Sequence, residues 1–183
     1  RAQHAHVEAA SAYAAARGVL VVAAMGNSGV DTTNAPVWPA DFSRDHANVV
    51  AVGASTNADT AANFSNRGVG LNVWAPGWWT LSTMPGGSHN FSSGTSMASP
   101  VVAGAAALVI DSGTATSPDR IRDRLVATAA PIGPGPRLDA AAAVGAPGAR
   151  TVGPLLSVSM SGAESLAHEV EGSLQWTVET DDT

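Results

Sequence analysis

Four hydroxyl-bearing residues are crowded into residues 92–96, shortly before an apolar run over residues 101–110. A polar turn that leads into a buried helix places the Ser96 hydroxyl near a helix N-terminus, where unpaired N–H groups and the helix dipole favour negative charge. A serine in that position could be an acyl-transfer nucleophile, with its own backbone N–H as half of an oxyanion hole. Serine and threonine are also ordinary helix caps, so capping is the alternative interpretation.

A second polar side chain, Asn27, follows an apolar run over residues 19–25 that is typical of a parallel strand buried on both faces. In parallel α/β sheets, ligands bind outside the carboxyl ends of the strands, and residues 26–29 end this strand. Asn27 could be a turn residue that tolerates left-handed backbone geometry. Its side-chain amide could instead donate a hydrogen bond to a developing oxyanion.

Residues 94–100 (GTSMASP) resemble the nucleophile motif of the subtilisin-like serine proteases, and residues 23–29 resemble the stretch that carries the family's oxyanion-hole asparagine. The two stretches stand in the family's order and at a family-like separation. The resemblance implies that Ser96 is the nucleophile and that Asn27 and the Ser96 N–H hold the oxyanion. It also implies that Thr95 supports either Asn27 or the oxyanion. The motif is not an α/β-hydrolase elbow, because Ala98 occupies the second glycine position.

The same resemblance implies a substrate-binding region made of Ala24, Met25, Gly26 and Val37. The backbone near residues 24–26 would pair with an extended substrate strand, as in β-augmentation. Val37 would raise the floor of the pocket for the side chain before the scissile bond, which favours small residues. We expect no required cofactor. We assign no metal ligands, because the family's usual high-affinity calcium ligands would lie upstream and Asn72 stands where a carboxylate often contributes to a weak cation site. Calcium is expected only as a structural ion of the full-length protein.

A serine nucleophile needs a general base and a group that orients it, and the family supplies these as Asp and His in two upstream motifs. None of the five histidines stands in the family's His-Gly-Thr context; they are His4, His6, His46, His89 and His168. His89 lies seven residues before Ser96, where a hairpin could bring it near the cleft, but no motif supports it as the base. We therefore expect these 183 residues to lack measurable peptidase turnover on their own.

The pattern of elements predicts an α/β fold with a parallel sheet, and the resemblance implies a subtilisin-like sheet flanked by helices whose N-terminal half is missing. We expect helices over residues 3–17, from near Ser96 past Pro100, from Ser117, and over 140–144. Strands are expected over 19–25, 49–54 and 71–77, with a hairpin over 78–92. The domain prediction is a C-terminal half of a catalytic domain over 1–148, a linker over 149–154, and a β-rich extension or incomplete second domain over 155–183.

Composition narrows the function classes further. The chain is 45% hydrophobic and 13% charged, which is typical of a globular protein. A net charge of −6 with only 9 Lys and Arg argues against nucleic-acid binding, and the absence of cysteine excludes disulfides and Cys-based zinc sites. No apolar run reaches transmembrane length. We expect a monomer that acts on polypeptide substrates and, by the resemblance, is secreted or on the cell surface.

Two alternatives remain open at this point. One is a non-catalytic relative that uses the same fold to bind proteins or peptides. The other is a non-protease α/β domain in which Ser96 is merely a capping residue.

Overall fold

The first helix, α1, spans Ala5–Ala16 in the computed structural model, which describes residues 4–132 and 135–145. Its many alanines have the highest intrinsic helix propensity. Gly18 adopts a φ of 70° after the helix, and its N–H donates to the Ala15 carbonyl at 3.0 Å while the Val19 N–H donates to the Ala14 carbonyl at 2.9 Å. This is the Schellman arrangement, so the expected helix and its glycine stop are confirmed.

Seven strands lie within the described residues: β1 (Val21–Ala24), β2 (Val49–Ser55), β3 (Val73–Pro76), β4 (Thr80–Thr83), β5 (His89–Ser92), β6 (Ala130–Ile132) and β7 (Gly135–Arg137). Five of them form one sheet in the order β1-β2-β3-β7-β6, and β4 and β5 form a separate hairpin. Within the larger sheet, β1, β2, β3 and β7 are parallel, and β6 is antiparallel to β7. The predicted α/β class with a parallel sheet is confirmed.

Strand β2 is the centre of the core, and all of its residues are buried. Its alternate side chains face two separate hydrophobic clusters: Val50 and Val52 belong to one, whereas Val49 and Ala51 belong to the other. Because both faces are covered, the strand is apolar throughout and does not alternate with polar residues.

Three further α-helices lie in the C-terminal part of the described chain: α2 (Thr95–Asp111), α3 (Pro118–Ala127) and α4 (Ala140–Ala143). Val102 and Val109 of α2 are fully buried in the same cluster as Val50 and Val52 of β2. Helix α2 continues through Pro100, as expected, although proline cannot donate the N–H that would pair with the Ser96 carbonyl. Among the described residues, no helix is long and apolar enough to cross a membrane.

The structure differs from the sequence-based expectation at three places. Strand β1 is an edge strand within the described sheet, and three of its four residues are only half-buried, because no described strand covers its outer edge. A short 3-10 helix, Ala40–Arg44, lies inside residues 30–48, where the sequence predicts a long loop. The β6–β7 hairpin was not anticipated, because its strands contain Pro131, Pro136 and Gly135, which are typical of loops. Expectations for residues 149–183 lie outside the described residues.

Candidate active site

Ser96 is the second residue of α2, and it is exposed. The residue before the helix is Gly94, in extended backbone geometry with φ 161° and ψ 161°, and no side chain caps this end. Within the described part of the chain, the Ser96 hydroxyl has no hydrogen-bond partner. The capping interpretation therefore does not apply to Ser96.

Asn27 lies just beyond the carboxyl end of β1, and its side chain reaches the start of α2. Its Oδ1 accepts hydrogen bonds from the Thr95 backbone N–H and from the Thr95 hydroxyl, both at 2.9 Å. A backbone N–H can only donate, so the amide atom that faces it must be the oxygen. The amide orientation is thereby fixed, and Nδ2 carries the hydrogens that remain available as donors.

Thr95 connects the two segments of the site and is fully buried. Its hydroxyl donates to Asn27 Oδ1 and accepts a hydrogen bond from the Gly26 N–H at 3.1 Å. Of the two roles expected for Thr95, these contacts favour support of Asn27. Both contacts of the Thr95 hydroxyl are with the segment that carries Asn27.

Gly94 leaves a space that both expected oxyanion donors border. A Cβ built on Gly94 would lie 3.4 Å from Asn27 Nδ2 and 3.7 Å from the Ser96 backbone nitrogen. Because glycine has no side chain, no Cβ fills this position, which Met97 Sδ borders as well at 3.6 Å. Hydrogen-bond donors that converge on one point are the geometric requirement of an oxyanion hole.

The turn at Gly94 is anchored to the sheet through Gly77. The Gly94 N–H donates to the Gly77 carbonyl at 2.8 Å, and the Gly77 N–H donates to the Ser55 carbonyl at 3.1 Å. A Cβ on Gly77 would lie only 2.7 Å from both Ala54 Cβ and the Gly94 oxygen, so only glycine fits there. The first turn of α2 is thus held against the carboxyl ends of β2 and β3.

The four expected substrate-binding residues are placed in different ways. The N–H groups of Val21 and Met25 both donate towards β2, so the backbone groups of Ala24 face the opposite edge of β1, which no described strand covers. Gly26 and Val37 are neighbours, since a Cβ on Gly26 would be 3.9 Å from Val37 Cγ1. The Met25 side chain is fully buried, so Met25 could contact a substrate only through its backbone.

The position of Val37 is fixed by a buried carboxylate. The Val37 N–H donates to Asp41 Oδ2 at 2.7 Å, and Arg44 pairs with Asp41 Oδ1 at 2.8 Å. Val37 itself is half-buried. Its place beside Gly26 is therefore set by the short 3-10 helix that carries Asp41.

The described histidines do not contact Ser96. His89 pairs with Thr83 at the turn end of the hairpin, and its side chain is exposed. His46 Nε2 lies 3.4 Å from Glu8 Oε1, on the side of the molecule that α1 covers. No hydrogen bond joins any histidine of residues 4–132 to the Ser96 hydroxyl.

The described residues contain no group of three or more His, Asp or Glu side chains that could hold a metal ion. Asn72, at the position considered for a weak cation site, uses its oxygen within the fold. Its Oδ1 accepts from the Ala51 N–H at 2.8 Å, and its own N–H donates to the Ala51 carbonyl at 3.0 Å. Asn72 therefore extends the pairing of β2 as a backbone mimic.

Asn66 makes contacts that no local sequence pattern signals. It is buried in the segment over residues 63–67, which lies along the loop that carries Asn27. Its side chain bonds to backbone groups 36 to 41 positions away. An asparagine in a turn-rich segment is common, and only the long-range contacts distinguish this one.

Comparison with known proteins places this geometry in a family. Residues 2–162 match the family model described as the subtilase family. The chain is 46% identical over 120 residues to Subtilisin BL of Lederbergia lenta, which is 66% of this chain and 42% of that protein. It is 43% identical over 127 residues to Alkaline elastase YaB of Bacillus sp. (strain YaB), which is 69% of this chain and 32% of that protein.

Solved structures agree with the sequence relatives. A protease from Pseudoalteromonas arctica superimposes with a TM-score of 0.66 at 33% identity, over 75% of this chain and 45% of the other. The self-cleaved protease domain of PatA gives a TM-score of 0.65 at 33% identity, over 75% of this chain and 53% of the other. The chain thus spans less than half the length of the two curated relatives named above. The matched residues and the shared fold show that this chain belongs to the subtilase family.

Proposed function

We propose that the full-length protein is a serine endopeptidase that hydrolyses peptide bonds through an acyl-enzyme at Ser96. The observation that carries this proposal is the oriented amide of Asn27. Its oxygen is held by Thr95 at 2.9 Å, and its nitrogen borders the same space at Gly94 as the Ser96 N–H. Donors fixed before a substrate arrives need no reorganisation during the reaction, which is the basis of electrostatic preorganisation.

In the proposed reaction, Ser96 Oγ attacks the carbonyl carbon of the scissile peptide bond as a base removes its proton. The carbonyl electron pair moves to oxygen, and Asn27 Nδ2 and the Ser96 N–H donate to the oxyanion. Collapse of the tetrahedral intermediate breaks the C–N bond, and the protonated base gives its proton to the leaving amine. Water then hydrolyses the acyl-enzyme by the same steps and restores the Ser96 hydroxyl.

The base and its orienting carboxylate are proposed to be a His and an Asp supplied by residues outside these 183. Two observations support this: no described histidine contacts Ser96, and the chain spans 42% of the length of Subtilisin BL. On this proposal, the 183 residues alone retain the oxyanion donors but lack efficient proton transfer. We expect them to show no measurable peptide turnover.

The proposed substrate is an extended polypeptide. By the family resemblance, the backbone near residues 24–26 would pair with such a strand, and the neighbouring Gly26 and Val37 would border the side chain before the scissile bond. Because Val37 adds bulk there, small side chains should be preferred. We also propose, on the family resemblance alone, that the full-length protein is exported from the cell, is a monomer and holds a structural calcium ion.

A fluorophosphonate probe tests this function, because it forms a covalent adduct only with an activated serine. We expect the full-length protein to be labelled at Ser96, as located by peptide mass spectrometry, and the Ser96→Ala variant to remain unlabelled. Absence of labelling in folded full-length protein would contradict the proposal. It would favour instead a non-catalytic subtilase that binds polypeptides.

A further inference from the structure

We infer that Asn66 is a positioning residue that fixes the backbone on which Asn27 stands; this inference rests on the proposed function. Asn66 is 2% exposed. Its Nδ2 donates to the Met25 carbonyl at 2.9 Å, and its Oδ1 accepts from the N–H groups of Ser28 at 3.0 Å and Val30 at 3.2 Å. Its backbone N–H also donates to the Gly26 carbonyl at 2.9 Å.

These four hydrogen bonds reach both sides of Asn27, and none of them involves the Asn27 side chain. Thr95 and Asn66 therefore divide the task of placing the donor. Thr95 holds the amide of Asn27 through its oxygen, whereas Asn66 holds the backbone from residue 25 to residue 30.

The residue type follows from this arrangement. One planar group must donate to a carbonyl and accept from two N–H groups, and an uncharged amide does both. An ionised aspartate could only accept, and its charge would face the Met25 carbonyl. Glycine at position 26 is matched to this contact, because a Cβ there would lie 2.7 Å from Asn66 Nδ2 and the φ of Gly26 is 93°.

Removal of the Asn66 amide would leave the Met25 carbonyl and the Ser28 and Val30 N–H groups without these partners. The loop could then shift, and small displacements of a catalytic group have large effects on rate. Asn27 is proposed to act on an oxyanion that exists only in the transition state and the tetrahedral intermediate. The loss should therefore appear mainly in kcat, with a smaller rise in KM because Asn66 also holds Met25 and Gly26, which are expected substrate-binding residues.

The experiment is a double-mutant cycle in the full-length protein with a peptide substrate. We expect Asn66→Ala to lower kcat by about 10- to 100-fold, with KM within about 3-fold. In an Asn27→Ala background, the same change should lower kcat by less than about 3-fold, because the donor that Asn66 positions is already absent. A residue that merely stabilised the fold would not show this dependence on Asn27.

Asn48→Ala is the matched control. Asn48 is 4% exposed, and its Nδ2 donates to the carbonyls of Ser11 at 3.0 Å and Val19 at 3.2 Å, next to α1. We expect this variant to lower Tm but to keep kcat within about 2-fold, with or without Asn27, because the effects of distant sites add.

Several outcomes would overturn the inference. An Asn66→Ala protein with wild-type kcat, or with an equal loss of kcat in both backgrounds, would contradict it while Ser96-dependent turnover still supported the proposed function. A wild-type protein without Ser96-dependent turnover would overturn the function and this role together. If Asn66→Ala does not fold, the double-mutant cycle is repeated with Asn66→Ser, which keeps a hydroxyl acceptor for the loop. The same dependence of the kcat loss on Asn27 is then expected.

Discussion

The loop that carries Asn27 and the β4–β5 hairpin both reach the turn at Gly94, but they are held in different ways. The loop over residues 26–30 is fixed by hydrogen bonds from two other segments, through Thr95 and Asn66. The hairpin depends mainly on its own pairing, and all four residues of β5 are exposed. Trp79 is 64% exposed and Phe91 is 45% exposed, with their rings 5.7 Å apart.

This difference separates two tasks. On the proposed function, Asn27 donates to a transition-state charge and must be placed before the reaction, and its loop is tied to the helix and to the segment behind it. The hairpin has few buried contacts of this kind, so its side chains can change with little effect on the core. Substitutions in the loop and its supports should therefore alter kcat, whereas those in the hairpin should not.

The largest effect among these supports is expected for Gly94→Ala. The methyl group would enter the space bordered by Asn27 Nδ2 and the Ser96 N–H, so kcat should fall by about 100-fold or more. The fold should tolerate it within about 1 kcal/mol, because the backbone is extended and the nearest atoms lie at ordinary contact distance. Kinetics with a peptide substrate and thermal unfolding measure both quantities.

Gly77→Ala is the contrasting variant for that test. Its methyl group would meet Ala54 Cβ and the Gly94 oxygen at 2.7 Å, so the free energy of unfolding should fall by about 1–3 kcal/mol. A Gly94→Ala protein that is destabilised like Gly77→Ala but keeps its kcat would contradict the placement of the oxyanion space.

A smaller effect is expected for Thr95→Val, which keeps the shape of the side chain and removes its hydroxyl. The Gly26 N–H loses its acceptor and Asn27 Oδ1 loses one of two donors, so kcat should fall by about 10-fold and stability by about 1–3 kcal/mol. Thr95→Ser keeps the hydroxyl and should retain kcat within about 2-fold, as measured with the same substrate. Equal losses in the two variants would show that the hydroxyl is not what matters.

The hairpin should respond weakly. Trp79→Ala removes an exposed ring that pairs with Phe91, which is worth about 0.5–1.5 kcal/mol at most. Turnover of a short substrate should stay within about 2-fold of wild type. A large loss of kcat would mean that the hairpin, and not only the loop, places the reacting groups.

The smallest expected effect is a pH dependence of thermal stability that arises from Asp119 at the start of α3. The Ser117 hydroxyl and the Arg120 N–H donate hydrogen bonds to the Asp119 carboxylate and hold its pKa below the ordinary value. A lowered pKa in the folded state stabilises the protein above the unfolded-state pKa, and this contribution is lost as the pH falls through the folded value. Asp119→Asn should therefore lower Tm slightly at neutral pH and not at acidic pH, in thermal unfolding across a pH series. A difference in Tm that is constant with pH would contradict this cause.

Much of the site could be predicted because it is encoded locally. The motif over residues 94–100 places a serine at a helix start, and Asn27 follows an apolar strand, so both are visible in a short window of sequence. The parallel sheet was likewise predictable from the apolar run of β2, which is buried on both faces.

The remainder depends on contacts between distant positions. Asn66 resembles any turn asparagine until its partners 36 to 41 residues away are known. The β6–β7 hairpin contains prolines that argue against strands. Pro131 lies on the edge strand β6, and Pro136 lies on β7, which pairs with β3 only at Arg137, so neither position needs a full set of ladder hydrogen bonds.

The most direct test of the central claim, that Asn27 is a preorganised oxyanion donor for Ser96, is the kcat of Asn27→Ala in the full-length protein. We predict a fall of about 100- to 1,000-fold with little change in KM, equivalent to about 2.7–4 kcal/mol, which is the range established for removal of such a donor from a subtilisin. An unchanged kcat, or a loss confined to KM, would contradict the claim.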